Sequence, residues 1–137
     1  GMDIVKALKI SAAGMRAQGT RLRVLAENIA NAESAPDTPG VEPYRRKLVS
    51  FENALDRDSG LRLVRIKGVV EDKSEFGKRY DPHHPAADGD GYVQVPNVKS
   101  LLEMMDFREA QRSYEANMSV LRVSRSMLQR TVDMLRG

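Results

Sequence analysis

The sequence predicts an α+β fold, mainly α: long heptad-patterned helices at the two ends of the chain form an antiparallel coiled pair, with a small β-rich insert between them. Three observations lead there. Apolar residues recur at heptad spacing near both ends. The stretch between them is broken by Pro and Gly and alternates polar with apolar residues. Aromatic residues make up only 5% of the chain and Trp is absent, which favours helices packed through Leu, Met, Val and Ile over one large core. The 137 residues suffice for one ordinary domain, divided here into a helix over 2–33, an insert over 34–96 and a helix over 97–137. Gly1, in front of Met2, reads as the scar of a removed tag.

The first helix shows in Ile4, Leu8, Met15, Leu22, Leu25 and Ile29, with Ser11 and Gln18 in the skipped seam places. Asp3 suits its N-cap or first turn. Ala12, Ala13, Gly14, Ala17 and Gly19 make part of the helix thin. Small side chains admit a second backbone, whereas each glycine weakens an isolated helix by about 1 kcal/mol. The helix is therefore expected to be stable only when packed. Ser34-Ala35-Pro36-Asp37-Thr38-Pro39-Gly40 ends it and begins a loop.

Within the insert, Val41 to Phe51 and Leu61 to Val70 read as strands, the second alternating polar and apolar for most of its length. Tyr80-Asp81-Pro82-His83-His84-Pro85 excludes regular helix. Ala87 to Gly91 is a turn cluster, and Tyr92 to Val95 is one more short strand ending at Pro96. The insert is too short for a stand-alone sandwich.

The last helix opens with Asn97 or Ser100 as cap, and Glu103, three places after Ser100, completes a capping box. Phe107, Tyr114, Leu121, Leu128 and Leu135 fill every seventh place, joined by Ala110, Met118 and Val132. A second stripe runs beside them at Ala116, Val120, Val123, Met127 and Met134. Most helical stripes are ordinary intramolecular core. This face is wider than a dimer seam needs, and few other apolar elements are present to cover it, so the pattern points to assembly with neighbours. The expected interface residues are Leu8, Met15, Leu22, Leu25 and Ile29 in the first helix. In the last they are Tyr114, Met118, Leu121, Leu128, Val132 and Leu135.

Several classes of function are disfavoured. There is no Cys, hence no disulfide, thiolate nucleophile or Cys-based zinc site. His83 and His84 are adjacent in an extended segment and point to opposite faces, so a prolyl turn with surface histidines is preferred to a metal site. Asp88-Gly89-Asp90-Gly91 fails the calcium-loop pattern, because Tyr92 and Lys99 stand where ligands are required. No nucleophile motif or phosphate loop appears, and Glu71-Asp72 reads as a solvated pair, so no enzyme, cofactor or metal is expected. The formal charge of +3 is only mildly basic, and Arg45-Arg46-Lys47 is the lone basic triplet, so nucleic-acid binding through it is a minor alternative. No stretch approaches the roughly 18 apolar residues that span a membrane, and no Sec-type signal opens the chain.

Two sets of residues resemble a known family. Ser11-Ala12-Ala13-Gly14-Met15 with Gln18, then Ala26-Glu27-Asn28-Ile29-Ala30-Asn31-Ala32, are similar to the N-terminal signature of the flagellar axial proteins, the rod and hook family. The run from Tyr80 to Val93, then Pro96-Asn97-Val98, Glu103-Met104 and Arg112 to Asn117, resembles the proximal rod members of that family, whose inserts are shorter than those of the hook. The resemblance covers nearly the whole chain and is least distinctive from Pro36 to Glu75. It implies a structural subunit whose end helices form the tubular core of a helically built, torque-transmitting shaft. It also implies export by the flagellar type III apparatus without a cleaved signal peptide, and residence in the rod across the periplasm. The implied partners are the rod subunits FlgB, FlgF and FlgG, the adaptor FliE, and further copies of the chain. The competing reading, which heptads alone would support, is a cytoplasmic coiled-coil adaptor.

Overall fold

The computed structural model of the chain describes residues 2–137; Gly1, read above as a scar, lies outside them. Helix α1 spans Met2–Ala30, with Asp3 in its first turn. The helix ends where Asn31 turns its side-chain amide back onto the Glu27 carbonyl at 2.8 Å. The Ser34 hydroxyl then donates to the Asn31 carbonyl at 2.9 Å, so orphan carbonyls of the last turn are answered by local side chains.

Four strands follow: β1 Lys47–Leu55, β2 Arg62–Glu71, β3 Gly77–Tyr80 and β4 Tyr92–Val95, before helix α2, Ser100–Leu135. They form two separate two-stranded sheets, β1 with β2 and β3 with β4. One expectation needs correction, and one strand has no counterpart among those expected. Strand β1 begins at Lys47 rather than Val41, because Pro43 has no N–H and the Arg46 N–H is taken by the Asn97 side chain at 2.7 Å. Strand β3 was not legible: its four residues do not alternate, and its partner lies past a long turn.

The β1–β2 turn is closed by the Asp56 N–H donating to the Leu61 carbonyl at 2.7 Å, with Gly60 at φ +73°. The Ser59 hydroxyl, and after it Lys9 at 3.3 Å, hold the Asp56 carboxyl below the usual carboxylate range. In the other sheet β3 and β4 run antiparallel, Gly77 opposite Val95 and Tyr80 opposite Tyr92. The Tyr80 and Tyr92 rings meet edge to face at 5.3 Å. The Asp88 carboxylate accepts the Asp90 and Tyr92 N–H groups at 2.9 Å each, an Asx turn. Gly91, at φ +85°, faces the Tyr80 ring and Pro82 with no room for a Cβ.

Contacts divide the chain into two compact units. Among the described residues the first comprises those up to Leu22, Val49–Gly68 and Arg108–Gly137; the second comprises Arg23–Leu48 and Val69–Phe107. In the first unit α1 and α2 run antiparallel: Gly14 packs against Asn117, Gly19 against Tyr114, and Arg21 pairs with Glu109 at 3.9 Å. The buried residues there are small: Ser11, Ala13, Gly14 and Ala17 from α1, Ala110 and Ser124 from α2. Leu8, Met15, Leu22, Tyr114, Met118, Leu121 and Leu128 are half-buried on the flanks of that seam. Small side chains bring the helix axes together, and the larger ones are then splayed to either side. The second unit buries Val24, Leu25, Ala32, Ala86 and Val93, with Ile29 half-buried beside them. Each fully buried Leu or Val contributes about 1.5–3 kcal/mol.

A Cβ on Gly14 would stand 2.7 Å from the Asn117 amide, itself tied to the Ser113 carbonyl at 2.9 Å. Gly14→Val is therefore expected to lower stability by about 1–3 kcal/mol in urea unfolding. Adding Asn117→Ala should return part of that loss. Strictly additive effects of the two changes would show that this contact does not set the helix spacing.

Candidate functional site

Glu103 anchors the second unit. It is read from sequence as the closing member of a capping box, and the structure corrects that reading. Its side chain turns inward, is 1% exposed, and joins α1 to the segment leading into β1. One carboxylate oxygen accepts from the Asn28 amide at 3.1 Å; the other accepts from the Arg46 Nε. Asn28 is satisfied on every side: it donates also to the Lys47 carbonyl at 2.9 Å and accepts from the Tyr44 hydroxyl at 2.7 Å and the Lys47 N–H at 2.9 Å. Asn97, the other expected cap, instead bonds the Arg46 N–H, the Asp72 carbonyl and Ser74. Among the described residues no buried side-chain nitrogen or oxygen lacks a partner.

The electrostatics follow from the same contacts. Burial works against the Arg46 charge, but the hydrogen bonds it donates to Glu103 and Asp72 outweigh that and hold the guanidinium pKa above its ordinary value. The Ser74 backbone N–H and hydroxyl, then Arg46 at 3.1 Å, hold the Asp72 carboxyl below the usual range, so the Glu71-Asp72 pair is not simply solvated. Burial, then the charges of Glu27 and Glu103, push the Tyr44 hydroxyl up to about 12. The basic triplet is likewise engaged within the chain. Arg45 lies 4.1 Å over the Phe76 ring and donates to the Asp72 and Ser74 carbonyls, and Lys47 pairs with Glu27 at 2.7 Å. A free basic patch for nucleic acid is not what these three residues form.

In each unit α2 also carries an uncovered apolar face. In the second unit Leu101 is 73% exposed, with Leu102, Met104 and Met105 beside it. In the first unit Val120, Val123, Met127 and Met134 form an exposed stripe, the second stripe read from sequence. Among the expected interface residues Val132 is 37% and Leu135 84% exposed, whereas Leu25 is buried within the second unit. A groove of ≈ 290 Å³ lies in the first unit between Ala13, Arg16 and Ala17 of α1 and Leu55, Leu63 and Ile66 of the β1–β2 hairpin. The His84 Nδ1 accepts the Ala86 N–H at 3.0 Å inside the prolyl turn. Among the described residues no group of three or more His, Asp or Glu could hold a metal ion, and no helix is long and apolar enough to cross a membrane.

Two outcomes are expected of the polar network. Glu103→Ala removes one of the two carboxylates that hold Arg46 and an acceptor of the buried Asn28 amide, and should cost about 1–3 kcal/mol in urea unfolding, whereas Glu103→Gln should cost less. A loss below about 1 kcal/mol for the alanine would mean that water replaces the carboxylate. The second concerns pH. Because the folded Asp72 pKa is depressed, its contribution is present above the unfolded value of about 4 and is lost as pH falls through and below it. The unfolding midpoint should therefore drop between neutral pH and about pH 3, and Asp72→Asn should flatten that slope; an unchanged slope would rule Asp72 out as its source.

Comparison with known proteins gives this architecture its relatives. Residues 90–134 match the family model described as flagellar basal body rod FlgEFG protein C-terminal. The flagellar basal-body rod protein FlgC of Agrobacterium fabrum is 50% identical over 131 residues, covering 96% of this chain and 94% of its own. Its counterpart in Borreliella burgdorferi is 34% identical over 153 residues, covering 99% of this chain and 100% of its own. That of Salmonella typhimurium is 36% identical over 131 residues, covering 96% and 97%. At this identity over both helices and the insert, the chain belongs to the FlgC family of flagellar basal-body rod proteins, structural subunits of that rod.

Proposed function

We propose that the chain is a subunit of the proximal rod, laid down on a helical path into the hollow shaft that carries torque from motor to hook. What supports this most is the 50% identity to a FlgC protein along nearly the full chain. The helices within 2–33 and 97–137 supply the wall of the shaft, and 34–96 is an insert carried on it. The role is mechanical rather than catalytic.

Assembly in this reading uses the flanks of the helix pair. Leu8, Met15, Leu22, Ile29, Tyr114, Met118, Leu121 and Leu128 are half-buried and have area left to lose, as do the exposed Val132 and Leu135. Leu25 acts from inside, by holding the second unit together. If each of several such residues contributes about 1.5–3 kcal/mol on full burial, a modest number of contacts makes a durable joint. Contacts between unlike surfaces continue along a helix instead of closing into a dimer. The neighbours are further copies of the chain, the rod subunits FlgB, FlgF and FlgG, and FliE. The chain reaches the periplasm-spanning rod through the flagellar type III apparatus without a cleaved signal peptide. A cytoplasmic coiled-coil adaptor draws no support from the relatives.

The test is to tag the chain in a motile host, purify hook–basal bodies and quantify it by mass spectrometry. Stoichiometric recovery with the rod proteins is expected; retention in the cytosol would overturn the reading. Leu121→Asp, which places a charge beside the helix seam, should leave the β1–β2 hairpin folded and abolish motility. Normal swimming by that variant would remove Leu121 from the assembly surface.

A further inference from the structure

The charge of the chain is divided unequally between its two units. The first carries fourteen Lys and Arg against seven Asp and Glu, a formal +7; the second carries eight against twelve, a formal −4. The two together make the +3 of the whole chain. A mild overall charge thus hides two units of opposite formal sign.

Within the first unit the excess is shared, +3 in residues 1–22, +1 in 49–68 and +3 in 108–137, and in the last of these one face of α2 gathers the arginines. At about 100° per residue, the helix's five arginines, Arg108, Arg112, Arg122, Arg125 and Arg130, fall within an arc of about 140°. That arc lies away from the buried Ala110 and Ser124. All five are exposed, and among the described residues none is in an ion pair. Glu115 and Asp133 share the arc and leave it three positive charges in excess. The apolar stripe of Val120, Val123 and Met127 borders it. In the second unit the cations of the basic triplet are turned to internal partners. Glu33, Asp37, Glu42, Glu71, Glu75, Asp88 and Asp90 are exposed there against the exposed Arg23, Lys73, Lys78, Arg79 and Lys99, so the exposed charge is net acidic but mixed in sign.

We propose that the arginine face of α2 in one copy docks on the net-acidic second unit of another copy. A chain with opposite signs on separate units is its own complement when unlike units meet, and repels itself when like units meet. The charges select which faces meet, and the bordering Val and Met side chains lose water once they do. This deepens the rod-subunit reading by naming the contact between copies.

The test is sedimentation velocity of the purified chain at roughly 50 and 500 mM NaCl. The wild type should self-associate at low salt and do so at least about tenfold more weakly at high salt. Arg122→Glu/Arg125→Glu/Arg130→Glu should abolish the low-salt association, and so should Glu33→Lys/Glu42→Lys/Glu71→Lys/Glu75→Lys. An equimolar mixture of these two variants should associate again, because each supplies the sign the other lost. Circular dichroism checks that each stays folded; where one does not, Gln replacements at the same positions serve, with loss of association as the expected result. No self-association at low salt, association indifferent to salt, or an arginine variant that associates like wild type overturns the contact. So does a chain that stays monomeric while sedimenting with phosphatidylglycerol vesicles, which would assign the arginine face to a lipid surface. Recovery in basal bodies with charge-insensitive association removes this contact and leaves the rod reading intact; absence from basal bodies removes the rod reading whatever the salt dependence.

Discussion

The carboxylate of Glu103 has no water to return to, and the second unit is organised around that constraint. It is held by the Asn28 amide from α1 and the Arg46 guanidinium from the segment entering β1, with Tyr44 and the Lys47 backbone completing the amide's partners. Such a group adds little net stability over an apolar replacement of the same shape, because desolvation offsets most of the attraction. Its effect is on geometry. Any arrangement that slides α1 past α2, or lifts β1 away, leaves a buried charge or amide unpartnered, which is costlier than the loss of an apolar contact.

Small residues make the complementary contribution in the first unit. With Gly14 against Asn117 and Ala110 fully buried, the helix pair closes on a seam too narrow for Leu or Met. The large side chains are therefore left half-covered on the flanks, where further contacts can use them. A seam packed with leucine would bury its apolar area within the chain. This one keeps area available, which suits a subunit of an assembled rod.

Helix α2 consequently presents three different faces: small and polar residues inward, an apolar stripe beside them, and arginines outward. Membership of the FlgC family gives the outward faces a use, since a rod subunit assembles with other rod components.

The sequence by itself determined the two helices, the turn clusters, strand β4 and the family. These rest on signals between near neighbours: heptad spacing, Pro and Gly placement, and alternation within a few residues. It did not determine what fills the seam. Glu103, Ala110, Asn117 and Ser124 are themselves spaced by seven, but a hydrophobic pattern passes over three of the four, and the wide Leu and Met stripes drew the reading instead. The polar network was equally illegible. Asn28 and Glu103 are 75 residues apart and Arg46 and Glu103 are 57 apart, while Ser100 and Glu103 offered a plausible local cap. Local chemistry specifies which segments become helix or strand. Only the tertiary structure decides which polar groups lose water together, because that depends on which distant segments the folded chain brings into contact.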